Sequence, residues 1–147
     1  MLIQPLNQKK SSWHDYLNLM NTHFSKNKQT SYSIADFQET GAQNWIITNN
    51  SKLLFGIYAK KSLHRLHTLV IHRWACIKLK QEKKLLSNVL REVISYNLKG
   101  NYRSIQTLII NHEEQFLFEQ QGFNFKSFHP NHEKNQPLIW MGRTLTT

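Results

Sequence analysis

The alternation of apolar and polar positions predicts one long amphipathic helix near the middle of the chain. Its apolar residues recur at i, i+1, i+4 and i+5, and they are Leu85, Leu86, Val89, Leu90, Val93 and Ile94. At about 100° per residue these positions form a single stripe, so we expect one face of the helix to lie in the core. Gly100 follows the last of them, where a residue with positive φ commonly ends a helix.

A buried strand is predicted immediately before this helix. Residues 63–79 form a run rich in β-branched and aromatic side chains, which is too apolar for an exposed strand. Segment 72–98 is therefore interpreted as the end of a strand, a basic turn and a helix. The first turn of a helix has unpaired backbone N–H groups and the positive end of the helix dipole, so this turn is expected to bind an anion.

The other elements follow from shorter patterns. A capping-box pattern at Ser12 predicts a first helix, and Ser33 with Asp36 predicts a helical turn that Gly41 ends. Asn111 is expected to cap a short helix that stops at Gly122. Strands are predicted at 2–6, 45–48, 53–59, 104–110, 123–128 and 138–145, with Gly56 marking a bulge or a close backbone approach.

The predicted element order is β-α-α-β-β-β-α-β-α-β-β. This order is typical of an α+β domain with a mixed, mostly antiparallel sheet of about seven strands and about four helices on its faces. A length of 147 residues is expected to form one domain, residues 1–147.

Composition limits the compartment and the partners. The only cysteine, Cys76, lies in the apolar strand run and is expected to be a small buried hydrophobe rather than a reactive thiol. A lone cysteine, no signal-peptide pattern and no long apolar window predict a cytoplasmic protein without a membrane span. The net charge of +10 favours a polyanionic partner, which is nucleic acid, a phosphorylated cofactor or acidic lipid.

Metal binding is not expected, although the chain has eight histidines. His112-Glu113 lacks the second histidine at i+4 that a zinc-protease helix carries, and no Cys-His spacing of a structural zinc site occurs.

The C-terminal third resembles the GNAT family of acetyl-CoA-dependent N-acyltransferases. Segment 111–123, NHEEQFLFEQQGF, is similar to the family's fourth helix, in which an Asn follows the fifth strand and Gly-Phe ends the helix. Trp140-Met141-x-Arg143-x-Leu145 is similar to its closing strand. The element order matches over essentially the whole chain, so the resemblance implies a GNAT-like fold and acyl transfer to an amine.

The resemblance also places the cofactor. The family motif Arg/Gln-x-x-Gly-x-Gly/Ala falls on residues 81–86, where Gln81 matches and Lys84 and Leu86 replace the glycines. A second register, with residues 69–73 as the end of the strand, also finds no glycine. The thioester is expected between the fourth and fifth strands, and the phosphates at 81–87. The implied cofactor-binding residues are Cys76, Ile77, Lys78, Gln81, Glu82, Lys83, Lys84, Leu85, Leu86, Ser87 and Asn111.

The chain also differs from the family at the residue that donates a proton. Phe118 occupies the position of the tyrosine that many members use as general acid, and a phenyl ring has no proton to give. His72 lies about where some members have a catalytic Glu or His, and its ordinary pKa near 6.5 suits a general base. The other interpretation of His72 is a structural or surface histidine.

Three functions remain open at this point. The first is an acyl-CoA-dependent N-acyltransferase acting on an unidentified amine. The second is an inactive GNAT-like module that binds a protein partner, since the glycines and the tyrosine are both missing. The third is nucleic-acid binding, through the positive charge and aromatic residues such as Trp74 and Tyr102. A homodimer is compatible with all three.

Overall fold

The computed structural model describes residues 2–6, 10–22, 32–77, 82–130 and 138–145. The strands in these residues are β1 (Leu2–Pro5), β2 (Gln43–Asn49), β3 (Lys52–Lys61), β4 (Thr68–Cys76), β5 (Ser104–Ile109), β6 (Asn124–Phe128) and β7 (Ile139–Thr144). The helices are α1 (Lys10–Thr22), α2 (Ile34–Phe37), α3 (Glu82–Asn97) and α4 (His112–Gln120). The order of these elements is the predicted one.

The seven strands of the described residues form a mixed sheet in the order β1-β2-β3-β4-β5-β7-β6. Strands β1 and β2, β2 and β3, β5 and β7, and β6 and β7 pair antiparallel. Strand β4 pairs parallel with β5, from Thr68 opposite Ser104 to Ile71 opposite Thr107. The predicted mixed, mostly antiparallel α+β architecture is therefore confirmed.

The chain divides into two compact units. Unit 1 contains Met1–Lys60 and His72–Val89, and unit 2 contains Lys61–Ile71 and Leu90–Thr147. Strand β4 and helix α3 each contribute residues to both units. The expectation of a single domain stays a prediction, and the two units are described separately below.

The core of unit 1 is organised around Tyr16 of α1, which is completely buried. The Tyr16 hydroxyl lies 2.9 Å from Oδ1 of Asn44 and 3.0 Å from the carbonyl oxygen of Ile57. Asn44 in turn donates through Nδ2 to the carbonyl of Phe37 at 2.8 Å. A buried hydroxyl is costly unless it is hydrogen-bonded, so this network specifies how α1 and α2 pack on β2 and β3.

A buried arginine fixes β4 to the end of α1. Arg73 is only 4% exposed, and its Nη2 donates to the carbonyl oxygen of Met20 at 2.9 Å. Its guanidinium also lies 4.3 Å from the ring centroid of Tyr32, which is a cation–π distance. Because Met20 is in the last turn of α1, the positive charge meets carbonyl groups that have no intrahelical partner.

Helix α3 buries the stripe that its sequence predicted. All six apolar residues of the stripe are buried, whereas Lys83, Lys84, Arg91 and Glu92 are exposed. Full burial of such a side chain contributes about 1.5–3 kcal/mol, so the stripe dominates the placement of the helix.

Helix α4 in unit 2 has the predicted cap at each end. The Asn111 side chain accepts a hydrogen bond from the backbone N–H of Glu114 at 2.8 Å. At the other end, the N–H of Phe123 donates to Phe118 O at 3.1 Å, and that of Gly122 to Glu119 O at 3.0 Å. With φ of +84° at Gly122, this is the Schellman arrangement.

The structure corrects several predicted features. Helix α1 begins at Lys10, so Ser12, the predicted cap, lies inside the helix. Gly100 follows the end of α3 at Asn97 but does not have positive φ. Strand β4 begins at Thr68, so residues 63–67 of the predicted run form a turn in which Leu63 and Leu66 are 84% and 85% exposed. Apolar composition does not distinguish this turn from the strand that follows it. Helix α2 ends at Phe37 rather than at Gly41, although the predicted Ser33–Asp36 capping box is present.

Among the described residues, no helix is long and apolar enough to cross a membrane.

Gly56 provides a test of the core of unit 1. A Cβ atom at Gly56 would lie 2.7 Å from Cε1 of Tyr16, so the predicted close approach is made by a side chain of α1. We expect Gly56→Ala to lower the free energy of unfolding by about 1–3 kcal/mol, because overpacking displaces the Tyr16 ring. Denaturant unfolding measures this change.

Gly100→Ala is the matched control, since a Cβ there would meet only the Asn97 carbonyl oxygen, at 3.7 Å. Its effect should be within about 0.5 kcal/mol. Equal effects of the two substitutions would contradict the assigned packing of Tyr16 on β3.

Candidate active site

The start of α3 is the candidate phosphate-binding element of unit 1. The helix begins at Glu82, and the side chains of Glu82, Lys83 and Lys84 in its first turn are exposed. The backbone N–H groups of a first turn have no acceptor within the helix, so they are available to an anion. The positive charges of Lys83 and Lys84 attract an anion to this first turn, and the negative charge of Glu82 repels it. The predicted ligands Lys78 and Gln81 lie outside the described residues.

The next residues of the predicted motif face the core. Leu85 and Leu86 are 0% and 1% exposed, and Ser87 is half-buried. The leucine side chains are therefore part of the helix anchor, and only backbone groups of these two residues could contact a ligand. Their assignment to cofactor binding stays a prediction.

Cys76 ends β4 with a buried thiol. Its Sγ lies 3.1 Å from the carbonyl oxygen of Ile77, and the side chain is only 5% exposed. Burial raises the pKa of the thiol to about 11, and the Glu82 carboxylate contributes to the rise. The expected burial of Cys76 is therefore confirmed, and the raised pKa favours the neutral thiol at pH 7.

Ile77 contacts an open cavity of unit 1. Its N–H donates to the Leu54 carbonyl at 3.0 Å, which continues the strand edge beyond β4. The cavity has a volume of about 260 Å³, and its lining residues are Asp15, Asn18, Leu19, Ser51, Lys52, Leu53 and Ile77. Ile77 is the one predicted cofactor-binding residue on its lining.

His72 is the candidate base of unit 1. It is exposed on β4, and its ring centroid lies 5.8 Å from that of Tyr58. Partial desolvation lowers the pKa of His72 from its usual 6.5, the Lys60 ammonium lowers it further, and Glu39 raises it. Because the shift is downward, the imidazole is neutral at pH 7 and can accept a proton.

Three neighbours of His72 were not singled out from the sequence. Lys60 and Glu39 form an ion pair at 2.5 Å, and burial, followed by Glu39, raises the pKa of Tyr58 to about 12. The Tyr58 hydroxyl therefore stays protonated. No sequence spacing links residues 39, 58, 60 and 72, so only the folded chain shows that they share one region.

Asn111 and Phe118 belong to unit 2. The Asn111 side-chain oxygen is committed to the α4 cap, so a ligand contact would fall to its amide nitrogen. Phe118 is 1% exposed and its ring centroid lies 5.1 Å from that of Phe123, edge to face. This aromatic pair is part of the unit 2 core, and neither ring carries an ionisable group.

The backbone matches known N-acetyltransferases along its full length. An aminoglycoside 6'-N-acetyltransferase from Enterococcus faecium is similar at a TM-score of 0.84 and 10% identity, covering 100% of this chain and 98% of that one. An aminoglycoside 6'-N-acetyltransferase complexed with coenzyme A is similar at a TM-score of 0.82 and 10% identity, covering 100% of this chain and 98% of that one. The ribosomal-protein-S18-alanine N-acetyltransferase from Escherichia coli is similar at a TM-score of 0.76 and 14% identity, covering 99% of this chain and 96% of that one. The chain has the GNAT fold.

The resemblance predicted from the sequence is thus confirmed at the level of the fold. The sequence itself matches no family model and no curated protein. No cluster of three or more potential metal ligands occurs among the described residues of this GNAT fold.

The state of the Cys76 thiol can be measured directly, because the chain has no other cysteine. We expect the native protein to react with a disulfide reagent at pH 8 about 100-fold more slowly than the unfolded protein, since a raised pKa and burial both reduce the accessible thiolate. The unfolded chain in guanidinium is the control. Equal rates in the two states would contradict the assigned burial of Cys76.

Proposed function

We propose that this GNAT-fold chain is an acyl-CoA-dependent N-acyltransferase that transfers an acyl group, most simply acetyl, to an amine. The observation that carries the proposal is the full-length match of its backbone to N-acetyltransferases, one of them complexed with coenzyme A. The acceptor amine is not assigned.

The residues at the start of α3 fit the phosphates of an acyl-CoA by charge and by backbone donors. Lys83 and Lys84 supply positive charge, and the backbone N–H groups at the start of a helix are suited to bind an anion. The glycines of the family motif let the backbone approach the pyrophosphate closely, and this chain lacks them. We therefore propose weaker binding than a glycine-rich turn would give.

His72 is proposed as the base that removes a proton from the acceptor ammonium. A neutral imidazole on β4 can accept that proton directly or through a water molecule. The uncharged amine then attacks the acyl carbon, its nitrogen releases a second proton to solvent as the amide bond forms, and the carbon–sulfur bond breaks to release the thiolate. Phe118 cannot protonate the thiolate, so the proton comes from solvent. Positioning and deprotonation are sufficient for this chemistry, without a covalent enzyme intermediate.

A specific observation favours one alternative, an inactive GNAT-fold module that binds a protein partner. The replacements of the motif glycines by Lys84 and Leu86 and of the tyrosine by Phe118 remove two separate functional elements. Drift after the loss of catalysis would produce both replacements. A tight complex with a protein partner that acetyl-CoA leaves undisturbed would favour this alternative.

Binding of acetyl-CoA tests the role of the first turn of α3. We expect measurable heat in an isothermal titration at low salt, with about 5–10-fold weaker binding after Lys83→Met and Lys84→Met together, because exposed charges near a helix N-terminus each contribute less than about 1 kcal/mol. Lys99→Met, beyond the other end of α3, is the matched control. Absence of heat with acetyl-CoA and longer acyl-CoAs in the unaltered protein would remove the proposed function.

The pH dependence tests His72. Activity should fall as the pH drops through a pKa below 6.5, because the lowered pKa of His72 marks where the base becomes protonated. His72→Gln should lower kcat/KM by about 100-fold or more and abolish this acidic limb.

His64→Gln, which removes another exposed imidazole, should change neither the rate nor the profile. A His72→Gln variant that retains full activity and the same acidic limb would show that another group is the base.

A further inference from the structure

One face of β5, β6 and β7 in unit 2 has a cationic side chain on each side of Gln106 and Gly142. Gln106 lies in the middle of β5 and is only 9% exposed. Arg65, from the turn between β3 and β4, donates through Nη1 to the Gln106 side-chain oxygen. Its guanidinium also lies 5.3 Å from the ring centroid of Trp140 in β7. The buried amide and the indole thus hold Arg65 against the sheet.

Lys126 reaches the same place from the edge strand. The register between β6 and β7 shifts between Phe125 and Ser127, so Lys126 is the extra residue of a β-bulge. Bulges redirect a side chain, and this one turns Lys126 over Gly142 of β7. A Cβ atom at Gly142 would lie 3.0 Å from Cε of Lys126 and 3.0 Å from Cγ of Gln106. The missing side chain at Gly142 therefore leaves the space that Lys126 and Gln106 occupy.

Within the described residues, no acidic side chain lies on the elements that carry Arg65, Gln106 and Lys126, and residues 131–137, which include Glu133, lie outside them. The turn at residues 62–67 and strands β5, β6 and β7 contain no Asp or Glu. The acidic residues described in unit 2 all lie on α3 and α4, and they are Glu92, Glu113, Glu114 and Glu119. Arg65 and Lys126 are both exposed. Both cationic side chains lie beside Gln106, so an anion that contacts both of them would reduce the repulsion between their like charges.

We propose that Arg65, Lys126 and Gln106 form a binding site for a phosphate group. The planar guanidinium can donate two parallel hydrogen bonds to phosphate oxygens, and the ammonium adds a mobile point charge. The Gln106 amide nitrogen is a further donor, since its oxygen is occupied by Arg65. The two negative charges of a phosphate dianion balance the two cationic side chains, whereas a carboxylate carries only one negative charge. The site uses none of the residues assigned to the proposed acyl transfer.

A residue-resolved titration with inorganic phosphate tests this site in the intact protein. In proton–nitrogen correlation spectra, we expect the Gly142 amide and the Trp140 indole N–H to shift and saturate at millimolar phosphate. Lys126→Met keeps the aliphatic stem over Gly142 and should raise the dissociation constant at least fivefold. Arg65→Met should also raise the dissociation constant at least fivefold. This variant provides the test if Lys126→Met does not fold.

Lys99→Met is the control for the loss of one exposed positive charge, and it should leave the dissociation constant unchanged. Linear shifts without saturation, equal weakening in the control, or shifts confined to residues 82–84 would each overturn the proposal.

Two further probes distinguish the source of the phosphate. Adenosine monophosphate binding as tightly as a single-stranded hexanucleotide would indicate a small phosphate monoester. At least tenfold tighter and strongly salt-dependent binding of the hexanucleotide would indicate nucleic acid, in which successive phosphates and stacking add to the affinity. Either result supports the phosphate site.

Discussion

The burial of one apolar stripe on α3 determines which groups the helix can offer to a ligand. Leu85 and Leu86 are in the core, so the two residues before them, Lys83 and Lys84, lie on the exposed first turn. Core packing of the helix also fixes the direction of the backbone N–H groups in its first turn. The proposed anion binding at this turn would therefore depend on core packing that makes no contact with the ligand.

This constraint explains how the chain could bind phosphates without the motif glycines. Glycine at such a turn allows the ligand to approach the backbone, whereas lysine adds a charge at the end of a flexible stem. The two solutions differ in specificity: backbone cradles recognise phosphate geometry, and exposed ammonium groups recognise charge. A first turn that relies on Lys83 and Lys84 should therefore be more sensitive to salt than a glycine-rich one. Glu82 in the same turn reduces the attraction further.

Adjacent residues of β4 divide structural and chemical roles. Arg73 is buried and tied to the Met20 carbonyl, whereas His72 is exposed beside Tyr58. Successive side chains of a strand point to opposite faces, so the anchoring of Arg73 also fixes the direction of His72. For the proposed base, the buried Arg73 would define the orientation of the strand at His72, and partial desolvation is the largest cause of the lowered pKa of His72.

The features that were predicted from the sequence depend on local patterns. The stripe of α3, the Asn111 cap and the burial of Cys76 each follow from residues close together in the chain. The turn at residues 63–67 was missed because its exposed leucines have the composition of a strand. Gly142 and the bulge at Lys126 matter only when β5, β6 and β7 are side by side, so no pattern in the sequence alone could reveal them.

The central claim is that the amides opening α3 hold the phosphates of an acyl-CoA, and amide hydrogen exchange tests it most directly. Without a ligand, the N–H groups of Glu82 and Lys84 should exchange rapidly, because the first N–H groups of a helix have no acceptor within the helix. Saturating acetyl-CoA should slow their exchange at least fivefold while the amides around Gly100 keep their rates. Unchanged exchange at residues 82–84, with protection appearing elsewhere in the chain, would contradict the account.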